Sequence, residues 1–324
     1  GACSVFAADL DGDGDIDLAS ASFNDNKIAW YENTDGKGAF GSQQIVTTNV
    51  KGASYVYAAD LDGDGDMDLA SASRDDNKIA WYENTDGKGT FGSQQIVTTN
   101  ANVAYRIFAA DLDGDGDMDL VSASSGDNKI AWYENTDGNG TFGSQQIVTT
   151  NAEQIKSIFA ADFDGDGDMD LASFSKRDNK IAWYENMVGN GTFGSQRIVS
   201  TSAIGARSLF VADLDGDGDM DLASASFLDD KVAWYENTDG KGTFGSQQIV
   251  TTNADSACSV FAADLDGDGD MDLASASSDD DKIAWYENTD GKGTFGSQQI
   301  VTTNTNGACS VFAADLDGDG DIDL

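Results

Sequence analysis

The sequence predicts an all-β protein, a β-propeller of six four-stranded, 51-residue blades followed by the start of a seventh repeat. Three observations predict it. The 324-residue chain repeats at a step of 51 residues without a slip. Each unit carries four short strand-like pieces parted by Gly-, Asn- and Asp-rich turns. No window sustains the 3.6-residue apolar period of a helix. The units run 1–51, 52–102, 103–153, 154–204, 205–255 and 256–306, and 307–324 begins the next. An open superhelical array of the same blades is the alternative architecture.

The first piece of a unit, Ser4–Ala8, feeds an acidic loop. The second, Asp17–Ser22, is small and alternating, and a polar Asn24-Asp25-Asn26 turn follows it. The third, Lys27–Asn33, leads into the hairpin turn Asp35-Gly36-Lys37-Gly38. The fourth, Gln43–Thr48, centres on Ile45 and Val46. Period two puts Ile28 and Trp30 on one face and Ala29 and Tyr31 on the other. A lone blade covers neither face, so its neighbours must. The six tryptophans, Trp30, Trp81, Trp132, Trp183, Trp234 and Trp285, are expected in the inter-blade core rather than as sugar-stacking platforms.

The acidic loop organises every unit. It places five aspartates in nine residues, with glycines between them. The first three loops carry Asp9, Asp11, Asp13, Asp15 and Asp17; Asp60, Asp62, Asp64, Asp66 and Asp68; and Asp111, Asp113, Asp115, Asp117 and Asp119. The next three carry Asp162, Asp164, Asp166, Asp168 and Asp170; Asp213, Asp215, Asp217, Asp219 and Asp221; and Asp264, Asp266, Asp268, Asp270 and Asp272. The seventh has Asp315, Asp317, Asp319, Asp321 and Asp323. Each close pair repels by roughly 1–4 kcal/mol in a surface-like medium. A hard cation removes that cost, and calcium takes about 6–8 oxygen ligands. Side chains at loop positions 1, 3, 5 and 9 are the expected ligands, with the backbone carbonyl at position 7. One calcium per repeat is expected. Magnesium suits such a loop less well, because it demands a rigid octahedron. A helix–loop–helix calcium hand needs Glu at position 12, where this chain has Ser20, Ser71, Ser122, Ser173, Ser224 and Ser275.

Composition narrows the function. The chain is 40% hydrophobic with a formal net charge of −40, and the seven loops hold 35 of its 58 acidic residues. It has no basic footprint for nucleic acid, and no apolar run of about 18 residues for a membrane span. It has no His, which removes Ser-His-Asp and Cys-His catalysis and His-ligated zinc. The acids repeat with the blade, whereas catalysis needs one singular constellation, so no enzyme is expected. Cys3, Cys258 and Cys309 share one repeat position ahead of a strand, and read as small buried residues or a bridge between units.

The Asp-x-Asp-Gly-Asp-Gly-Asp-x-Asp-Leu loops and the Phe-Gly of Thr90-Phe91-Gly92 resemble the FG-GAP/VCBS family of integrin-α-type, calcium-binding propeller repeats and related lectins. The resemblance covers the whole chain. It implies calcium ligands at positions 1, 3, 5, 7 and 9, and an extracellular or cell-surface scaffold that is structural or adhesive. Two departures stand out: the family's Gly-Ala-Pro element is missing from a chain with no Pro, and position 7 is Asp in every copy.

Units differ mainly in the turn between pieces two and three (Phe23-Asn24, Arg74-Asp75, Lys176-Arg177) and in the links between units. Loops over a rigid scaffold are where a glycan or cell-surface protein would bind. Asn139-Gly140-Thr141 and Asn190-Gly191-Thr192 are glycosylation sequons in exposed hairpin turns. Residues 307–324 repeat residues 1–18 identically, and the chain opens on Gly rather than Met. It therefore reads as a window on a longer tandem array, with self-association into a fibre or array an expected property.

Overall fold

The computed structural model describes residues 2–324. It contains six four-stranded antiparallel sheets, each drawn from one repeat and ordered as in the chain. Blade 1 is β1 (Ala2–Ala8), β2 (Asp17–Ser22), β3 (Lys27–Tyr31) and β4 (Gln44–Thr47). Blade 2 is β5 (Ala53–Ala59), β6 (Asp68–Ser73), β7 (Lys78–Tyr82) and β8 (Gln95–Thr98). Blade 3 is β9 (Ala104–Ala110), β10 (Asp119–Ser124), β11 (Lys129–Tyr133) and β12 (Gln146–Thr149). Blade 4 is β13 (Ile155–Ala161), β14 (Asp170–Ser175), β15 (Lys180–Tyr184) and β16 (Arg197–Ser200). Blade 5 is β17 (Ala206–Ala212), β18 (Asp221–Ser226), β19 (Lys231–Tyr235) and β20 (Gln248–Thr251). Blade 6 is β21 (Ala257–Ala263), β22 (Asp272–Ser277), β23 (Lys282–Tyr286) and β24 (Gln299–Thr302). The fold class is the expected six-bladed β-propeller, and no described residue is helical.

The chain forms two compact units, residues 1–155 with 314–320, and residues 156–313 with 321–324. In the first, Phe6 stacks on Tyr57 and Tyr57 on Phe108, with ring centroids 4.6 and 4.8 Å apart. In the second, the same line runs Phe159, Phe210, Phe261 and Phe312. These rings all stand at one repeat position, which aligns the first strands of successive blades.

The expected faces are the observed ones. Ile28 and Trp30 pack with Val56, Leu69, Ala80 and Tyr82 of the following blade, so a blade's Ile/Trp face meets its neighbour's Ala/Tyr face. Trp81 meets Ala131 and Tyr133 in the same way, and Trp234 meets Tyr286. Burying a side chain of this size contributes about 1.5–3 kcal/mol or more. Only Trp285 is half-buried, against Ala308 and Val311 of the seventh repeat.

Boundaries differ from expectation at three places. The first strand begins at Ala2, with a register shift between Ala2 and Ser4. The third ends at Tyr31, because the backbone of Asn33 turns out of the ladder to donate to Asp17. The fourth spans only Gln44–Thr47, and the glutamine just ahead of it is engaged through its side chain, as Gln94 is in donating to Tyr82 Oη at 2.7 Å. Residues 307–313 form no strand. A first strand pairs only with its own second strand, and the sequence supplies just Asp323 and Leu324 of that partner. The seventh loop nevertheless docks on blade 1: Asn33 Nδ2 donates to the carbonyl of Leu316 at 2.9 Å.

Candidate metal centre

Each acidic loop joins the first strand of a blade to the second, and its carboxylates first fold the loop itself. In blade 2, Asp60 accepts from the backbone N–H groups of Gly63 (2.7 Å) and Gly65 (3.0 Å). Asp64 accepts from the N–H of Asp66 at 2.9 Å. Asp68, buried at the start of β6, accepts from Leu61 N at 2.9 Å and from Asn84 N at 2.7 Å. The same bonds recur in the other blades, with position 9 taking the N–H of Asn33, Asn135, Asn186, Asn237 or Asn288 at 2.7 Å. In the seventh loop, Asp315 accepts from Gly318 and Gly320.

These bonds draw positions 1 and 3 together with position 5 or position 9, and leave position 7 apart. Oxygens of Asp60, Asp62 and Asp68 all lie within 4.8 Å of one another, as do those of Asp213, Asp215 and Asp221. The triads Asp9–Asp11–Asp13, Asp111–Asp113–Asp115 and Asp162–Asp164–Asp166 converge equally tightly. The position 7 carboxylate turns to the hairpin instead. A Cβ on Gly87, whose φ is +61°, would overlap the carboxylate of Asp66. Asp15 meets Gly36 in the same way, Asp117 meets Gly138, Asp168 meets Gly189, Asp219 meets Gly240 and Asp270 meets Gly291. That contact explains the first glycine of the hairpin turn.

At positions 9 and 3 the acids resist ionisation. Burial pushes Asp68 up to about 7, against the pull of the Asn84 and Leu61 N–H groups, and does the same to Asp119, Asp170 and Asp221. Burial also raises Asp17 and Asp272. At position 3, burial and then the neighbouring carboxylates raise Asp11 and Asp215 to about 6. The Oδ1 atoms of Asp62, Asp113 and Asp164 are shielded from solvent and lack a close donor; the same atom of Asp11 and Asp215 takes the N–H two residues on only at a long 3.3 Å. A shielded carboxylate oxygen without a donor is costly. An all-oxygen donor set with such orphaned atoms fits a hard divalent cation, whose charge would reverse the local resistance to ionisation. Ser71, at position 12, instead lies on β6 and hydrogen-bonds Tyr82 Oη at 3.1 Å, which excludes the helix–loop–helix arrangement.

One functional residue escaped the sequence reading. Asn84 sends Nδ2 to the carbonyls of Leu10 (2.9 Å) and Met67 (3.3 Å), and accepts from Gly89 N at 3.1 Å. It joins its own loop, its own hairpin and the loop of the preceding blade. The signal was present: Tyr-Glu-Asn closes the third strand in all six units.

The fold and these loops define a class, a β-propeller whose every blade carries an acidic, all-oxygen loop. The chain belongs to the FG-GAP-like repeat family, which it matches over residues 9–71, 60–122, 111–173, 162–224, 213–275 and 264–324. No curated protein matches it. Among solved structures it is similar to an Agrocybe aegerita lectin that specifically recognises non-reducing terminal N-acetylglucosamine. The identity is 25% over 93% of this chain and 80% of the lectin, with a TM-score of 0.69. It also shares its fold with BBS1N, solved in complex with ARL6DN, at 17% identity over 92% of this chain and 81% of that one, with a TM-score of 0.62.

Proposed function

We propose that each acidic loop holds one calcium ion and that the chain is a non-enzymatic, calcium-loaded scaffold with a structural or adhesive role outside the cell or at its surface. The observation that carries this reading is the convergence of three carboxylates within 4.8 Å in the loops of blades 1 to 5, with the position 3 Oδ1 of Asp62, Asp113 and Asp164 shielded from solvent and without a close donor. Side chains at positions 1, 3, 5 and 9 would hold the ion, with the carbonyl at position 7. The ion supplies charge neutralisation and a cross-tie between the first and second strands of a blade. Calorimetric titration of the chelator-stripped chain with calcium tests it. Saturable uptake of several ions per chain is expected; no heat above that of dilution would end the reading. Self-association into a fibre or array belongs to the same reading, and electron microscopy of the calcium-loaded chain reveals whether it forms.

A second reading, a glycan-binding module, is supported by a cleft and by the similarity to the lectin. The cleft, of about 420 Å³, lies between the loops of blades 4 and 5, lined by Phe159, Asp162, Met169, Val211, Asp219 and Asn237. Apolar walls with a few convergent polar groups suit a sugar ring. Reproducible, calcium-dependent binding on a glycan array would favour this reading over a purely structural one.

A further inference from the structure

The start of each first strand is a second place where successive repeats meet. At this position blade 2 has Ser54, whose Oγ donates across to the carbonyl of Ala104 in blade 3 at 2.9 Å. Blade 5 has Arg207 at the same position, and its Nη1 donates to Cys258 Sγ of blade 6 at 3.3 Å. The next residue in the series is Cys309. Three residues on from each cysteine, the Phe261 and Phe312 rings pack with centroids 4.7 Å apart, so the two segments run side by side, and the Cys309 thiol hydrogen-bonds that of Cys258.

The two sulfurs are differently placed. Cys258 is 6% exposed and donates to the carbonyl of Ser256 at 3.3 Å, whereas Cys309 is open to solvent. The Arg207 guanidinium is fixed by lying over the Phe227 ring, 3.8 Å from its centroid. Hydrogen bonding from Cys309, then from Ser278, with the charge of Arg207, holds the Cys258 thiol well below the ordinary range despite its burial. A thiolate stabilised beside a cation is the reactive form of cysteine.

We infer that Cys258 and Cys309 are a thiol–disulfide exchange site for low-molecular-weight disulfides, and that the bond they form fastens the seventh repeat to blade 6. The exposed Cys309 sulfur, its proton passed to the neighbouring Cys258 thiolate, attacks one sulfur of the small disulfide; that S–S bond breaks, and the first thiolate leaves and takes up the proton, which returns Cys258 to the thiolate. The Cys258 thiolate then attacks the Cys309 sulfur of the mixed disulfide and expels the second thiolate, which is protonated in turn. Two cysteine thiols are oxidised and one small disulfide is reduced to two thiols. The fastened stretch, 307–313, has no strand pairing of its own and is held by Ala308 and Val311 beside Trp285, by the Phe312 ring on Phe261 and by Gly307 N–H donating to Asp281.

Trypsin places the three cysteines in separate peptides, 1–27, 242–282 and 293–324, which makes the test direct. The native full chain, in calcium-containing buffer, is incubated with oxidised glutathione, alkylated and mapped without reduction. The expected product joins 242–282 to 293–324, with a melting temperature several degrees higher that reverts with dithiothreitol. In Arg207→Met the bond should form several-fold more slowly. In Cys309→Ser, Cys258 should remain alkylatable after denaturation. A bond to peptide 1–27, a bond between chains, or full alkylation of both thiols after prolonged oxidation would overturn the inference. The wild-type map decides it even if a variant fails to fold.

Discussion

Asn84 Nδ2 donates at 2.9 Å to the carbonyl of Leu10, a residue 74 positions earlier on the loop of the preceding blade. The same asparagine gives its backbone N–H to Asp68 at 2.7 Å and accepts from Gly89 at 3.1 Å. One side chain therefore links two acidic loops and a hairpin. Neighbouring acidic loops are tied mechanically as well as by sequence repetition.

Replacing it should be costly without touching a ligand. Asn84→Ala keeps the backbone bond to Asp68 but strips the buried Leu10 carbonyl and Gly89 N–H of their partners. Each unsatisfied buried group costs about 1–3 kcal/mol, so a loss of about 2–5 kcal/mol is expected. The midpoint of urea unfolding, in excess calcium, measures it. An unchanged midpoint would mean that water replaces the side chain.

Positions 3 and 7 should separate in a calcium titration. Asp62 has a shielded oxygen in the cluster, whereas the Asp66 side chain lies against Gly87. Asp62→Asn should weaken one site at least tenfold and reduce the ions bound near saturation by about one. Asp66→Asn should leave the stoichiometry unchanged, because only its carbonyl is expected at the ion. Equal losses from both variants would assign the position 7 carboxylate to the ion instead.

Much of this was legible in the sequence because the repeat makes a single chain its own comparison. Trp30 and Tyr31 alternate on a strand, so their opposite faces, and hence the stacking of blades, followed from period two alone. The aspartate spacing gave the loop. What was hidden lies between repeats. Asn84 sits two residues beyond β7, where alternation has no meaning, and its partner Leu10 belongs to another blade. The position 7 side chain was equally opaque, since its direction is set by a hairpin glycine twenty-one residues on. The end of the third strand moved for the same reason: the Asp17 carboxylate accepts the backbone N–H of Asn33 that the ladder would otherwise have taken.

Stability of the ion-free chain should fall as pH rises. Asp68, Asp119, Asp170 and Asp221 are pushed up to about 7 in the folded loops, chiefly by burial, whereas unfolded aspartate titrates near its ordinary 3.8. Between those values the folded state binds more protons than the unfolded state. Their contribution is thus fully present below about pH 4 and is lost as pH rises through 7. Melting in chelator should therefore drop from pH 5 to pH 8. Calcium binds the ionised carboxylates, so saturating calcium should reverse the slope. A chelated melt that rises over this window would contradict the buried-acid picture.

Two glycine variants should isolate the packing between blades from backbone strain. Gly65 and Gly89 both have positive φ, +96° and +73°, yet only Gly89 has a neighbour where a Cβ would go, the Trp30 ring of the preceding blade. Gly65→Ala carries the left-handed penalty of roughly 1–2 kcal/mol. Gly89→Ala adds a collision with a buried ring, which overpacking data put at about 1–3 kcal/mol. It should therefore melt several degrees lower than Gly65→Ala in the same calcium buffer. Trp30 fluorescence should report the difference, shifting in Gly89→Ala and staying fixed in Gly65→Ala. If the two variants melted together with unchanged emission, the hairpin could move off the ring at little cost, and the second glycine of the turn would be there for φ alone.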